Sequence, residues 1–320
     1  MTVPTILVVP RELDFITVEL ESAYRVLRLW EQPLPGDLAE VRALVCLGHQ
    51  SPAELLERLP ALQLVACYTT GYDAIDVEAL NRRGVQVSHA PGVTAEPVAE
   101  FALALILAAY RNLVLGALQL RSGGWVKDGS PLIGRSVTGA HVGIVGLGAI
   151  GKALARRCEA LKMTISWWGP REKPDAPWPR ADSLEALARE ADILAICASA
   201  DAGNVGLVSA RVIDAIGPGG LLVNVARGQL VEEDALIDAL KEGRLGAAAL
   251  DVFESEPTPP ERWSDVPHVI CTPHIGGASR ENLVQMTEML RANLDAFFAG
   301  APLRNPARSN SPIAAPKGQG

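Results

Sequence analysis

The chain has 320 residues, 48% hydrophobic and 21% charged, with a net charge of −8: a globular composition with room for about two domains. The acidic balance excludes a protein that tracks nucleic-acid phosphates, which needs a basic face. The longest apolar run, FALALILAAY (101–110), is too short to span a bilayer, and MTVPTILVVPRELD lacks the basic leader and small-residue cleavage site of an export signal.

Apolar, β-branched runs of strand length recur along the chain. The first set is TILVV (5–9), RVLRLW (25–30), ALVCL (43–47), LQLVACY (62–68) and VQVSHA (85–90). Residues 94–121 follow as a long apolar, helix-favouring stretch interrupted by little but Gly116, read as one helix leaving the first domain and packing on the second. RSGGWVKDGS (121–130) is a polar, Gly-rich connector. The second set is HVGIVG (141–146), MTISWW (163–168), DILAICA (192–198), GLLVNVA (220–226), GAAAL (246–250) and HVIC (268–271). Strands alternating with helical patterns predict parallel sheets covered on both faces, so two sets predict two doubly wound α/β domains. A last helix is predicted from about Ser279 to Phe298, and NPARSNSPIAAPKGQG reads as a disordered tail. Cys46, Cys67, Cys158, Cys197 and Cys271 are scattered without a CxxC pair; they read as buried, reduced thiols of a cytoplasmic protein, and no metal site is expected.

GIVGLGAIG places Gly146, Gly148 and Gly151 in a G-x-G-x-x-G array. The array alone is weak, but a strand runs into it and a helical pattern leaves it. Gly146 serves the tight turn, Gly148 the approach of a pyrophosphate and Gly151 close helix–strand packing. Ala149 and Ile150 open the helix whose free N–H groups face the phosphates. In such folds an acid about 20 residues further on binds the adenosine ribose and selects NAD, whereas a nearby Arg accommodates a 2′-phosphate. Here ISWWGPREKP (165–174) has Gly169 where the acid would stand, then Pro170, Arg171 and Lys173. That pattern predicts NADP(H) as the preferred cofactor, with NAD(H) usable. The alternative is a solvated basic loop, with Pro170 turning Arg171 away and Glu172 offsetting charge.

Ligands of parallel sheets bind beyond the carboxyl ends of the strands. Arg227 follows one such end in LLVNVARGQL, Asp251 and Glu256 another in AALDVFESEP, and His274 a third in VICTPHIGG. Taken singly, each fits an ordinary loop; three converging on the nucleotide edge point to a site.

These stretches, together with TTGYDAID (69–76) and VAEFALALIL, resemble the D-isomer-specific 2-hydroxyacid dehydrogenases over nearly the whole chain. The resemblance implies a Rossmann domain (99–287) inserted in a flavodoxin-like substrate domain (1–98 plus 288–320). It implies Arg227, Glu256 and His274 as the catalytic set. It also implies that Gly48, Thr70 and Gly71, with Arg227 and His274, hold the substrate, the 70–71 amides taking its carboxylate. Cys197, Ala198, Val225, Ala226, Asp251 and Gly276 are then further cofactor contacts. The chemistry agrees: the nicotinamide carries the hydride, and the protein orients a 2-keto acid and supplies a proton. Arg227 offers a planar fork to carboxylate and carbonyl oxygen. Protonated His274 donates to the nascent alkoxide, and Glu256 beside it favours the imidazolium.

One departure is in ICASADAGNVG, where Ser199 and Asn204 replace the family's usual proline and threonine. The loops expected to face substrate, LGHQ (47–50), YTTGYD (68–73) and SHAPG (88–92), contain no Lys or Arg. A phosphorylated substrate such as 3-phosphoglycerate then lacks a counter-charge, and no regulatory domain is expected after the last helix. Glyoxylate, hydroxypyruvate or a 2-ketoaldonate is favoured; His49 and His89 are read as structural rather than as substrate contacts. Formate oxidation is disfavoured by the presence of Glu256. A nucleotide-sensing corepressor is the rival of a different class, disfavoured because such relatives carry extra recruiting segments. The expected partners are a small 2-keto or 2-hydroxy acid and a second copy of the chain paired through 94–121, with neither nucleic acid nor membrane.

Overall fold

The computed structural model describes residues 3–31, 34, 38–125 and 132–308. The chain forms two compact units, residues 1–94 with 279–320 and residues 95–278. The borders fall at the starts of two helices, Ala95–Tyr110 and Arg280–Phe298, ahead of the 98/99 and 287/288 borders read from sequence. The sequence-derived borders cut through those helices, and a helix packs as one body.

The first unit holds β1 (Thr5–Val8), α1 (Asp14–Leu20), β2 (Arg25–Arg28), β3 (Val41–Cys46), β4 (Leu64–Cys67), α2 (Val77–Arg82) and β5 (Gln86–Ser88). Its parallel sheet runs β2-β1-β3-β4-β5, the flavodoxin-like order. β1 and β4 are buried throughout, which is why they read as unbroken apolar runs rather than alternating ones. Leu13, Ile16 and Leu20, with Met286, Leu290 and Leu294 of the C-terminal helix, cover one face; Val77 and Leu80 of α2 pack on the other. Part of the tail is ordered by this sheet. His89 N–H donates to Asn305 O at 3.1 Å and Ala307 N–H to Val87 O at 2.8 Å, so residues 305–307 cover the open edge of β5. This corrects the disorder expected from Asn305 as far as Arg308; residues 309–320 lie outside the described residues, as does 126–130 of the connector.

The second unit begins with α3 (Ala95–Tyr110) and α4 (Leu113–Arg121). The single helix expected over 94–121 is therefore two. The break is not at Gly116, which lies inside α4, but at Asn112, whose left-handed φ of 50° ends the hydrogen-bond ladder. Asn112 Nδ2 donates to Ile133 O at 3.1 Å, and the two helices diverge by 63°. No single described helix is long and apolar enough to cross a membrane. Then come β6 (His141–Val145), α5 (Ala149–Ala160), β7 (Thr164–Trp168), α6 (Leu184–Glu190), β8 (Ile193–Ile196), α7 (Ala210–Ile216), β9 (Leu221–Asn224), α8 (Glu233–Lys241), β10 (Ala247–Leu250) and β11 (Val269–Cys271). The last helix, α9 (Arg280–Phe298), returns to the first unit and is capped by Ser279 Oγ on Asn282 N–H.

The second sheet is parallel, in the order β11-β10-β9-β8-β6-β7. Beyond β7 a short segment adds a single parallel bridge: Trp167 N–H donates to Pro179 O at 3.0 Å and Ala181 N–H to Trp167 O at 2.8 Å. With that segment counted as a strand reduced to one rung, the order from that edge through β10 is the dinucleotide-binding 3-2-1-4-5-6, with β11 added as a seventh strand. Four of the cysteines are buried, as expected, whereas Cys271 is exposed because β11 is an edge strand.

Candidate active site

The glycine turn joins β6 to α5. Gly146 has φ 92°, and a Cβ on it would lie 2.5 Å from Ala198 Cα; only glycine serves there. A Cβ on Gly151 would lie 2.4 Å from Gly146 O, so this residue lets helix and turn pack closely. Gly148 differs, since nothing lies within 4 Å of its Cβ position. It leaves open space at the N-terminus of α5, where Ala149 and Ile150 open the helix and no side chain caps it, the Gly148 N–H being donated to Gly146 O at 3.0 Å. Such a terminus fits a pyrophosphate.

At the next strand end, Gly169 is buried and Pro170 and Arg171 are exposed, with Lys173 partly so. Sequence reasoning missed the cation nearest this point. Arg180 stands on the one-rung strand beside β7, its Nη2 donating to Gly169 O at 2.8 Å and its guanidinium 5.7 Å from the Trp167 ring centre. Its only sequence signal was its place in a Pro-rich loop. Cys197 and Ala198 follow β8; burial, and secondarily Cys158, pushes the Cys197 thiol up to about 12, so it stays neutral. Asn204 Nδ2 donates to Ser199 O at 2.8 Å and its Oδ1 accepts Asp201 N–H at 2.8 Å. The two departures from the family pattern thus close this loop on itself.

Val225, Ala226 and Arg227 leave β9. Buried Asn224 shapes the turn: its Oδ1 accepts Ala226 N–H at 3.0 Å and its Nδ2 donates to Arg227 O at 3.0 Å. Arg227 is half-buried, with Nη1 donating to Ala226 O at 2.7 Å. Gly228 lies against the next loop so closely that a Cβ would fall 1.8 Å from Phe253 C. Neither Asn224 nor Gly228 was singled out from sequence, although a buried Asn ending an apolar strand is the sort of signal that marks such a turn.

Asp251 ends β10 fully buried. Its Oδ1 accepts from Thr272 Oγ1 at 2.7 Å and Ile275 N–H at 2.9 Å, and its Oδ2 from Gly276 N–H at 2.7 Å. Its carbonyl accepts His274 N–H at 2.8 Å. These bonds hold His274 at φ 52°, a conformation that costs a non-glycine residue roughly 1 kcal/mol or more. The turn aims the imidazole at Glu256: Nδ1 lies 2.7 Å from Oε2, while Oε1 accepts Phe253 N–H at 3.0 Å. With the carboxylate ionised, Nδ1 is the donor and Nε2 is left at the opposite edge of the ring.

In the first unit, the loop after β4 is equally constrained. Gly48 N–H donates to Thr69 Oγ1 at 2.9 Å, and a Cβ on Gly48 would fall 1.7 Å from Gly71 O. Thr70 Oγ1 donates to Ala90 O at 2.6 Å, and its carbonyl faces His89 Nδ1 at 2.9 Å. His89 therefore braces the loop, edge-on to Tyr72 at 4.7 Å between ring centres.

The glycine turn, Arg227, the Glu256–His274 pair and the turn held by Asp251 all lie past the carboxyl ends of strands of one sheet, and the comparison with known proteins gives the family. Residues 103–276 match the family described as "D-isomer specific 2-hydroxyacid dehydrogenase, NAD binding domain". The chain belongs to the D-isomer-specific 2-hydroxyacid dehydrogenases. It is 37% identical over 301 residues to a glyoxylate/hydroxypyruvate reductase A of Arabidopsis thaliana, covering 92% of this chain and 95% of that one. It is 36% identical over 298 residues to a hydroxyphenylpyruvate reductase of Plectranthus scutellarioides, covering 91% and 95%. The solved NADPH-dependent glyoxylate/hydroxypyruvate reductase of Sinorhizobium meliloti, in complex with NADP and malonate, superposes with a TM-score of 0.87. It is 32% identical, and the match covers 98% of this chain and 100% of that one. This dehydrogenase is an NAD(P)-dependent oxidoreductase of 2-keto and 2-hydroxy acids.

Proposed function

We propose that this enzyme reduces a small or polar 2-keto acid, of the glyoxylate, hydroxypyruvate or 2-ketoaldonate kind, to the D-2-hydroxy acid, with NADPH as the preferred reductant. The observation that carries the catalytic part is the Nδ1–Oε2 contact of 2.7 Å between His274 and Glu256. A histidine so paired keeps its proton available and offers Nε2 to the substrate oxygen. Arg227 binds the carboxylate and carbonyl oxygen, and the amides of Thr70 and Gly71, in the loop buttressed by Gly48, add donors for the carboxylate. A nicotinamide held at this strand edge would supply the hydride for the carbonyl carbon. His274 then delivers the proton to the oxygen, and in the oxidative direction the same pair accepts it. Val225, Ala226, Asp251 and Gly276 line the nicotinamide end of this reading, and Cys197 and Ala198 the middle.

The NADPH preference rests on the end of β7. Gly169 rather than an acid directly follows the strand, and Arg180 is already fixed on Gly169 O, with Arg171 and Lys173 next along the chain. Glu172 lies 3.8 Å from Arg180 but is 88% exposed, so solvent screens most of its charge. The small or polar substrate rests on loops 47–50, 68–73 and 88–92, which carry no cation for a phosphate.

The cytoplasmic homodimer belongs to the same proposal. α4 has no buried residue, and Leu118 (59%), Trp125 (81%) and Ile133 (80%) are exposed on or beside it. An apolar surface of that kind marks an interface, and a second copy presents its match.

Steady-state kinetics test the proposal, with NADPH and NADH each paired with glyoxylate, hydroxypyruvate, 2-ketogluconate, hydroxyphenylpyruvate and phosphohydroxypyruvate. Turnover is expected with the first three and faster with NADPH. Preference for the phosphorylated or aromatic acid overturns the substrate reading, and preference for NADH the cofactor reading.

A further inference from the structure

Glu256 stands on an exposed loop between β10 and β11, yet the proposed proton transfer needs its carboxylate held on one nitrogen of His274. Something else must fix that loop. A second carboxylate, Glu233 at the start of α8, is only 6% exposed. Its Oε2 accepts Glu254 N–H at 2.9 Å, and its Oε1 accepts from Arg262 Nε. Arg262 Nη2 in turn donates to Asp234 Oδ1 at 2.7 Å. A carboxylate as buried as Glu233 is a costly way to fill space, because apolar side chains of the same volume hold a fold at least as well. What it does that they would not is grip the backbone amide two residues before Glu256.

Two neighbours complete the grip. Gly228 abuts Phe253, and Phe253 meets Trp263 edge-on at 5.5 Å, while Trp263 Nε1 donates to Thr258 Oγ1 at 3.0 Å. The loop is anchored on both sides of Glu256, and Glu233 holds the side that leads into it.

We propose that Glu233 is a positioning residue for the acid–base pair: by fixing the Glu254 amide it sets the Glu256 carboxylate on His274 Nδ1. This rests on the reading of His274 as proton donor. The charged groups around the pair are Glu233 and Asp234 on α8, Glu254 and Arg262 on the loop between β10 and β11, Asp251 under the His274 turn and Arg227 after β9. Glu233 is the one of these that grips the backbone amide of Glu254, two residues before Glu256. A Glu256 that slips from Nδ1 no longer holds the imidazole in one orientation, and delivery of the proton to the substrate oxygen slows.

The experiment compares the full-length enzyme with Glu233→Ala, Glu233→Gln, Arg262→Met and His274→Ala. It measures kcat, KM, the melting temperature and NADPH binding by fluorescence. Glu233→Ala is expected to lower kcat on the order of ten- to a hundredfold with KM for the keto acid within about twofold. Glu233→Gln keeps an oxygen for the Glu254 amide and restores most of kcat, with Arg262→Met in between. Should Glu233→Ala fail to fold, the Gln and Arg262→Met variants carry the test through the same split of kcat from KM. Unchanged kcat, or a loss that follows melting temperature with no rescue by Gln, overturns the positioning role. If His274→Ala keeps turnover, the catalytic reading itself fails; if it is inactive while the Glu233 variants keep the wild-type kcat, only this inference does.

Discussion

Glu256 Oε2 meets His274 Nδ1 at 2.7 Å, and the other oxygen of the same carboxylate is held by Phe253 N–H at 3.0 Å. One carboxylate thereby locks both its own loop and the orientation of the imidazole, as a dedicated proton donor requires.

Substitution separates this pair from Arg227. His274→Ala is expected to lower kcat by about two to four orders of magnitude while leaving binding of cofactor and keto acid close to wild type. Arg227→Ala raises KM as well, because the substrate carboxylate loses its charge-assisted partner. Equal, mild losses in both variants would remove these residues from the chemistry.

Cofactor choice is expected to follow the cations at the end of β7. Arg180→Ala and Arg171→Ala each weaken NADPH by roughly ten- to a hundredfold, the worth of one charge-assisted contact to phosphate, and leave NADH nearly unchanged. Gly169→Asp adds the missing acid and shifts the preference toward NADH. Titration with 2′,5′-ADP against 5′-AMP, followed by tryptophan fluorescence, reads the same difference without turnover. Equal affinity for the two ligands would dismiss the phosphate site.

The exposed apolar face of α4 gives a prediction about assembly. Light scattering at micromolar concentration is expected to report a dimer, and Leu115→Glu with Leu118→Glu to yield a monomer. A wild-type monomer would contradict the proposal.

Buried thiols set an alkaline limit to stability. Burial pushes Cys158 and Cys197 up to about 12, from 9.0 for a solvated thiol. Their folded values are raised, so their stabilising contribution is complete below about pH 9, where thiols of the denatured chain begin to ionise, and falls as pH climbs toward 12. The melting temperature is expected to fall as pH rises from about 9 toward 12, and to fall less in Cys197→Ala. A flat profile would show that these thiols ionise equally in both states.

Much of this protein was determined by the sequence itself. Each of the eleven apolar runs became a strand, because a parallel sheet covered on both faces demands continuous apolar residues. Gly146 and Gly151 were legible because their positions tolerate no Cβ, and Arg227, Glu256 and His274 because ligands gather at the carboxyl ends of such strands. Only the tertiary structure decided the rest. The break at Asn112, the edge strand formed by residues 305–307, Arg180 on its one-rung strand and the burial of Glu233 under the active-site loop all depend on segments far apart in the chain. The 2.7 Å meeting of Glu256 and His274 is of the same kind, set by the hydrogen bonds of Asp251 to the turn. Local pattern encodes which side chains are apolar and where the backbone must bend. Which charges share a buried space follows from packing between segments, and no local pattern carries it.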